Sequence, residues 1–377
     1  MLKIRGFIKR EPVLCVSGLA ALCSMLWSPP SAAYFSYIDW RVIALLFCLM
    51  AVVAGIEQAG VLEKLARALS GRAKNTRRLC GVLVFLCFFS SMLVTNDVAL
   101  LTFVPFAALT LLLCGQAALL LPTVILQTVA ANLGSMLTPV GNPQNLYLYA
   151  HYEMTPAAFF SVTLPLTLTG AVLLLVCCRL LPACETAVVF ETPPKKTDRR
   201  LFTVCCILFA VCLLSVFRVV DWPWALGAVV LCVLVFCPSL FKQIDLGLLC
   251  TFLFFFIFAG NLGALAPVRA ALQGWMEVSA TGTCILVSQV ISNVPAAVLL
   301  SDFCADGGAL VAGAGIGGFG TLVSSLASLI SYKIYCRMPG AQKGRYLGYF
   351  TAVNFAVLFI LFIVSLFLPR AFLMPWV

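Results

Sequence analysis

The sequence predicts an all-α polytopic membrane protein, an inverted-topology repeat of about nine full spans with two re-entrant hairpins and broken helices. Three observations predict it. Of the 377 residues, 63% are hydrophobic and 10% charged, with mean hydropathy +1.09, whereas a soluble domain carries roughly 45–50% apolar and about 25% charged residues. Twenty of the 24 Lys and Arg residues lie in five short segments between apolar runs. Four apolar runs are interrupted by clusters of Asn, Ser, Thr and Pro.

A spanning helix needs about 20 apolar residues. Segments 12–28, 39–58, 119–146, 156–181, 201–217, 223–238, 244–262, 308–332 and 346–369 meet or approach that length. The run at 12–28 follows Lys3, Arg5, Lys9 and Arg10 and precedes Ser31-Ala32-Ala33, so it imitates a secretory leader; the many spans after it favour a first transmembrane helix. Two runs do not fit a single span. Residues 79–113 would rise about 52 Å as one helix and are broken at Thr95-Asn96-Asp97. Residues 280–302 are broken at Ser292-Asn293-Val294-Pro295, where proline removes a helical hydrogen bond.

Loop charge sets the count. The cationic segments are 1–10, 61–78, 179–200, Lys242 and 333–345. They share one side of the bilayer, as the positive-inside rule demands, if 79–113 and 280–302 each enter and leave by the same face. Residues 1–182 then form a first repeat (hairpin 79–113, broken helix 119–146), and 183–222 a cytoplasmic loop and connecting span. Residues 223–377 form a second repeat of opposite topology (hairpin 280–302, broken helix 308–332). The N-terminus is expected in the cytoplasm and the C-terminus outside the plasma (cytoplasmic) membrane. Local echoes agree with the repeat: Gly60 to Leu69 with Gly263 to Leu272, Thr95-Asn96 with Ser292-Asn293, and Gly134 to Thr138 with Gly320 to Ser324.

Several function classes lack their parts. The net charge of +10 is explained by the cationic loops, not by a nucleic-acid-binding face. The 18 cysteines contain no Cys-x-x-Cys pair and mostly sit in apolar runs, where a free thiol behaves as a small hydrophobe. His151 is the single histidine, so zinc sites and Ser-His-Asp triads are incomplete, and no enzyme is expected. Flanked by Tyr147, Tyr149 and Tyr152, it reads as part of an interfacial aromatic belt. Glu57 reads as a cytoplasmic surface contact, and Gly307 to Gly320 as close helix packing.

The chemistry is expected at the four polar breaks: Thr95-Asn96-Asp97, Thr138 to Asn145, Ser292 to Pro295, and Ser324 to Ser328. Non-helical backbone at membrane depth survives only where protein or a water-filled cavity satisfies it. Its free carbonyls suit a cation, and half-helix N-termini suit an anion. Inverted repeats with interrupted helices mark secondary transporters. Asp97 alone among the 14 acids lies well inside an apolar run, which marks it as functional. Three roles are open to it: a Na+ ligand, a proton carrier, or a cap on the following half-helix.

These residues resemble the ion transporter superfamily, specifically the citrate transporter-like domain of divalent anion–sodium symporters, arsenite permeases and one group of sodium–proton antiporters. Thr95 to Pro105 looks like the first hairpin tip, and Asn132 to Asn145 like the following loop. Ser292 to Pro295 looks like the second tip, and Ser324 to Ser328 like the matching break. The Thr-Pro-x-Gly-Asn-Pro-x-Asn stretch is the most specific part. The resemblance implies an elevator-type transport domain moving against a scaffold, within a homodimer. It implies substrate at Thr95, Asn96, Thr138, Asn142, Ser292, Asn293, Ser324 and Ser325. It places a coupling ion, Na+ or H+, at Asn96, Asp97, Gly141, Asn142, Asn293, Ala327 and Ser328. Both tips depart from the symporters' Ser-Asn-Thr: Thr-Asn-Asp looks more like the arsenite permeases, and the second tip reads Ser-Asn-Val.

The function expected is secondary active transport of a small anion, carboxylate or inorganic oxyanion, coupled to Na+ or H+. No other cofactor is expected, and the partners are the small anionic substrate, the lipid bilayer and a second copy of the chain. The alternatives are sodium–proton antiport through Asp97, arsenite or antimonite efflux, and, less favoured by the inverted hairpins, an ion channel.

Overall fold

The computed structural model describes residues 12–32, 34–185, 196–338 and 340–368. The described residues are all-α, without a β-sheet. Among the described residues, eight helices are long and apolar enough to cross a membrane: Trp40–Gln58, Thr76–Val94, Asn96–Leu113, Ala117–Met136, Pro156–Leu180, Arg199–Val216, Leu246–Gly263 and Lys343–Leu366. The cationic segment 1–10 lies outside the described residues, as does part of 179–200.

The α-helices of nine residues or more among the described residues are α1 (Pro12–Ser24), α2 (Trp40–Gln58), α3 (Val61–Ser70), α4 (Thr76–Val94), α5 (Asn96–Leu113), α6 (Leu120–Met136), α7 (Pro143–His151) and α8 (Pro156–Leu180). They continue as α9 (Arg199–Val216), α10 (Trp222–Phe236), α11 (Leu246–Gly263), α12 (Ala266–Ile291), α13 (Asn293–Ser301), α14 (Gly307–Gly317), α15 (Leu326–Tyr335) and α16 (Lys343–Leu366). Many of the chain's few acids have a local job. Asp39, Asp198, Asp245 and Asp306 each accept a bond from a first-turn amide of α2, α9, α11 and α14, satisfying a donor the helix itself leaves open.

Two sets of helices pack mainly among themselves. In one, α2 lies on α9 and α10, and α1 on α11. In the other, α4, α5 and α6 form a tight trio, α12 packs on α14, and α15 reaches across to α5 and α6. The sets meet where α11 touches α13 and α2 touches α7.

Two segments differ from the sequence expectation. Residues 61–70, expected as cationic loop, form helix α3, with Arg67 Nη2 bonded to Glu63 Oε1 at 2.9 Å one turn away. Leu65 and Leu69 stay exposed while Ala66 is buried, so this is an amphipathic surface helix too short and too charged to register as a span. Residues 266–278, assigned to no span, form a helix that breaks at Ser279 (φ −166°, ψ 99°), so α12 is two helices meeting at a kink, the second of which leads into the second hairpin. The kink falls where the hairpin was expected to begin. In the first pair, α4 and α5 have 19 and 18 residues, about 27 Å each, while α13 has only 9.

Candidate functional site

Each helix pair turns at a single residue. Thr95 (φ 64°, ψ 152°) joins α4 to α5, and Ser292 (φ 76°, ψ 154°) joins α12 to α13. These are positive-φ residues other than glycine, a conformation that costs roughly 1–3 kcal/mol and persists where surroundings enforce it. The same strained turn, followed each time by a buried Asn, stands at both tips.

The tips are held by the breaks. Asn96 Nδ2 donates to Asn132 Oδ1 at 3.1 Å, and its own Oδ1 accepts from the Asp97 amide at 3.1 Å. Ser325 Oγ, at the start of α15, donates to that same Asn132 Oδ1 at 3.2 Å, and Asn132 Nδ2 points to the Gly318 carbonyl at 3.5 Å. One buried amide thus ties the first tip to the second break. At the second tip, the Asn293 amide and Ser292 Oγ both donate to the Ser324 carbonyl, at 2.9 and 3.3 Å. Asn293 Nδ2 donates to the Ala314 carbonyl at 3.1 Å.

The break after α6 closes on itself. Asn142 Oδ1 caps α7 by accepting from the Asn145 amide at 2.9 Å, while its Nδ2 donates to the Ser135 carbonyl at 3.1 Å. Asn145 Nδ2 faces the carbonyls of Ser135, Met136 and Thr138 at 3.3, 3.0 and 3.1 Å. A Cβ on Gly141 would overlap the Ser135 backbone, so only glycine fits there. Thr138 Oγ1 donates to the Met92 carbonyl, three residues before the first tip. In the other break Thr321 Oγ1 donates to the Gln289 carbonyl at 3.0 Å, three residues before the second tip.

Of the expected site residues, Asn96 and Ser325 meet through Asn132; Ser292, Asn293 and Ser324 form one cluster; and Asn142 and Gly141 fold onto Ser135. Asp97 lies in the first turn of α5, and its Oδ1 is buried without a hydrogen-bond partner among the described residues. It makes no cap bond to a helix amide, which removes observed support for the capping role. Ala327 and Ser328 are fully buried in the first turn of α15, with Ser328 Oγ also unpartnered. No group of three or more His, Cys, Asp or Glu that could hold a metal occurs among the described residues, and all 18 cysteines are free.

Sequence reading placed Asn132 and Asn145 in the segment after the first tip without assigning either a binding role, and missed Gln289 altogether. Gln289 Nε2 donates to the Gly317 and Phe319 carbonyls at 3.2 and 3.0 Å, and its Oε1 accepts from the Thr321 amide at 2.9 Å. An Asn or Gln inside an apolar helix was the available signal, because such a group needs a buried partner. The tyrosine belt is also corrected. Tyr147 and Tyr149 are each 2% exposed, and Tyr147 bonds Ser301 Oγ at 2.6 Å, so they face protein. Glu57 is half-buried and accepts from Thr102 Oγ1 at 3.2 Å, across from α2 to α5. The Gly-rich run does pack closely: a Cβ at Gly313 or Gly317 would press on α12.

A family model described as citrate transporter matches residues 7–306. The inner membrane protein YbiR of Escherichia coli is 32% identical over 305 residues, covering 79% of this chain and 80% of that protein. An uncharacterised transporter of Methanocaldococcus jannaschii, MJ0456, is 30% identical over 311 residues, covering 80% and 82%. The silicon efflux transporter LSI3 of rice (Oryza sativa subsp. japonica) matches over 137 residues at 31% identity, 36% of this chain and 28% of that one. With a family match across most of its length and two relatives that share four-fifths of it, this chain belongs to the citrate transporter family of the ion transporter superfamily, a family of membrane-embedded secondary transporters of small anions.

Proposed function

We propose that the chain moves a small carboxylate or inorganic oxyanion between the two hairpin tips, coupled to Na+ or H+, by an elevator-type motion within a homodimer of the plasma membrane. The observation that carries this reading is the pair of strained, Asn-bearing tips, the first joined through Asn132 to the second break and the second bonded to that same break at Ser324. The breaks contain no Lys or Arg, so helix N-termini and amides would hold the anion. Three buried oxygens without partners, Asp97 Oδ1, Asn145 Oδ1 and Ser328 Oγ, suit a small hard cation, which takes oxygen ligands.

An inverted repeat of 1–182 and 223–377, around the connecting span, is supported by matched contacts. Gly134 fits against Phe88 and Ser91 as Gly317 fits against Ile285 and Ser288. Thr138 and Thr321 bond the residue three before each tip. Asn142 and Ser325 start α7 and α15, and Asn145 and Ser328 follow with the unpartnered oxygens. These contacts favour pairing Gly134 with Gly317, three residues from the pairing suggested by local sequence. The α4–α8 and α12–α16 elements would move as the transport domain against α1, α2 and α9–α11. The parity of nine spans and two hairpins, with the N-terminus cytoplasmic and the C-terminus outside, belongs to the same proposal.

Purified protein in proteoliposomes, offered citrate, succinate, sulfate or arsenite with Na+ or choline at two pH values, tests it. Ion-dependent uptake of one anion is the expected result. A Na+ or pH response with no anion dependence would overturn the anion reading and favour the antiport reading, for which the unpartnered Asp97 oxygen speaks. Arsenite movement alone would favour metalloid efflux.

A further inference from the structure

The single histidine stands in a cavity that the transport reading leaves unused. About 400 Å³ of space is lined by Ser36 to Asp39 ahead of α2, by Phe256 and Ala259 of α11, by Tyr147 and His151 of α7, and by Val298 and Asp302 at the end of α13. The cavity therefore lies between the two packing sets, where α2 meets α7 and α11 meets α13. His151 Nε2 stands 3.9 Å from Asp302 Oδ1. His151 Nδ1 is 3.3 Å from Tyr147 Oη, which in turn bonds Ser301, and the His151 ring packs edge-on against Tyr152.

The charges around it are lopsided. From the end of α13 comes Asp302, and from the start of α2 Asp39 on the facing wall. The cations nearby are engaged elsewhere: Arg41 donates to the Ser215 carbonyl at 3.0 Å, and Arg218 to the Ala150 carbonyl at 3.2 Å while pairing with Glu153 at 3.8 Å. Tyr147, Tyr152 and Tyr37 complete the surroundings. A neutral imidazole has one N–H donor, and imidazolium has two and a positive charge. At this position the extra charge would lie between carboxylates on opposite walls.

We propose that His151 is a proton-binding site that acts as a latch: protonation draws Asp302 on α13 and Asp39 ahead of α2 toward each other and closes the cavity between the two helix sets. Burial holds the His151 imidazole below its usual value while Asp302 and Asp39 pull it back up, so the latch closes on acidification below about pH 6.5 and does not depend on which substrate is carried. It goes beyond the transport reading, and its test reads no transport.

The full-length protein in nanodiscs, labelled at histidine, gives one imidazole signal by NMR because the chain has one histidine. Its titration is followed from pH 8 to 5, alongside hydrogen–deuterium exchange of segments 34–39 and 298–304 corrected for intrinsic pH dependence. The expected result is a titration within that range, with exchange of both segments slowed at least about fivefold by acid, the low end of ordinary coupling between sites. H151Q and D39N should both abolish the slowing while melting within a few degrees of wild type at pH 8; D39N keeps an oxygen to cap α2. Absence of titration, or acid protection that survives in H151Q, would overturn the latch. Should H151Q fail to fold, protection surviving in D39N overturns it equally.

Discussion

Asn132 carries two donors on one oxygen, and its removal separates a joint from an ordinary buried amide. In Asn132→Ala, Asn96 Nδ2 and Ser325 Oγ lose their acceptor together. An orphaned buried polar group costs about 1–3 kcal/mol, so the pair costs about 2–6 kcal/mol unless water enters. The bond to Gly318, at 3.5 Å, adds little. Ser325→Ala removes one donor and leaves Asn132 bonded to Asn96, for about 1 kcal/mol. The assay is the unfolding midpoint of each purified variant in one detergent, with the Asn96→Ala/Ser325→Ala double variant completing a cycle. Asn132→Ala should be the most destabilised of the single variants, and the two partner substitutions should depart from additivity by about 0.5–3 kcal/mol. If Asn132→Ala falls no further than Ser325→Ala, and the cycle is additive, the first tip and the second break are not joined through this amide.

Three further outcomes follow from the same geometry. Ser328→Ala removes an oxygen that bonds nothing, so its stability without added ion should change by less than about 1 kcal/mol, while stabilisation by added Na+ or by acid, read as a melting shift, should weaken; Asp97→Asn should weaken it most. Gly134→Ala places a methyl on the Phe88 carbonyl and Ser91, an overpacking that costs about 1–3 kcal/mol, whereas Gly81→Ala, with open space around it, should be neutral or better in the same melt. Burial raises the Asp306 carboxyl above its usual range. The folded state therefore binds its proton more tightly than the unfolded one, and this contribution is present below the unfolded pKa and lost as pH rises through the folded one. Asp306→Asn keeps a cap acceptor for α14, so its stability relative to wild type should improve between pH 3.5 and 7, as denaturant midpoints at the two values would show.

Much of the fold was legible because a bilayer simplifies the code. A span announces itself by about 20 apolar residues, and α2, α8, α9, α11 and α16 fall within a few residues of the segments read from composition. The breaks were legible for a related reason, since Asn, Pro and clustered hydroxyls have no bland explanation inside an apolar run. Helix α3 was not legible as a span because it is none; its pattern of charged and apolar residues serves a surface. The tyrosines around His151 misled because the same amphipathic ring suits an interface and a buried hydroxyl partner equally, and only Ser301 and Cys304, about 150 positions away, decide between them.

Local pattern determined that this chain enters a membrane, where its helices break, and which polar residues stand at the breaks, because each is a property of a short stretch against lipid. Which breaks face each other was decided by tertiary structure alone. Asn132 and Ser325 lie 193 positions apart, and nothing in either neighbourhood encodes the other. The same holds for the registration of Gly134 with Gly317, which rests on close approach to Ser91 and Ser288. Side-chain bonds of this kind are satisfied only once the helices pack, so the site is a product of packing imposed on residues that the sequence merely supplies.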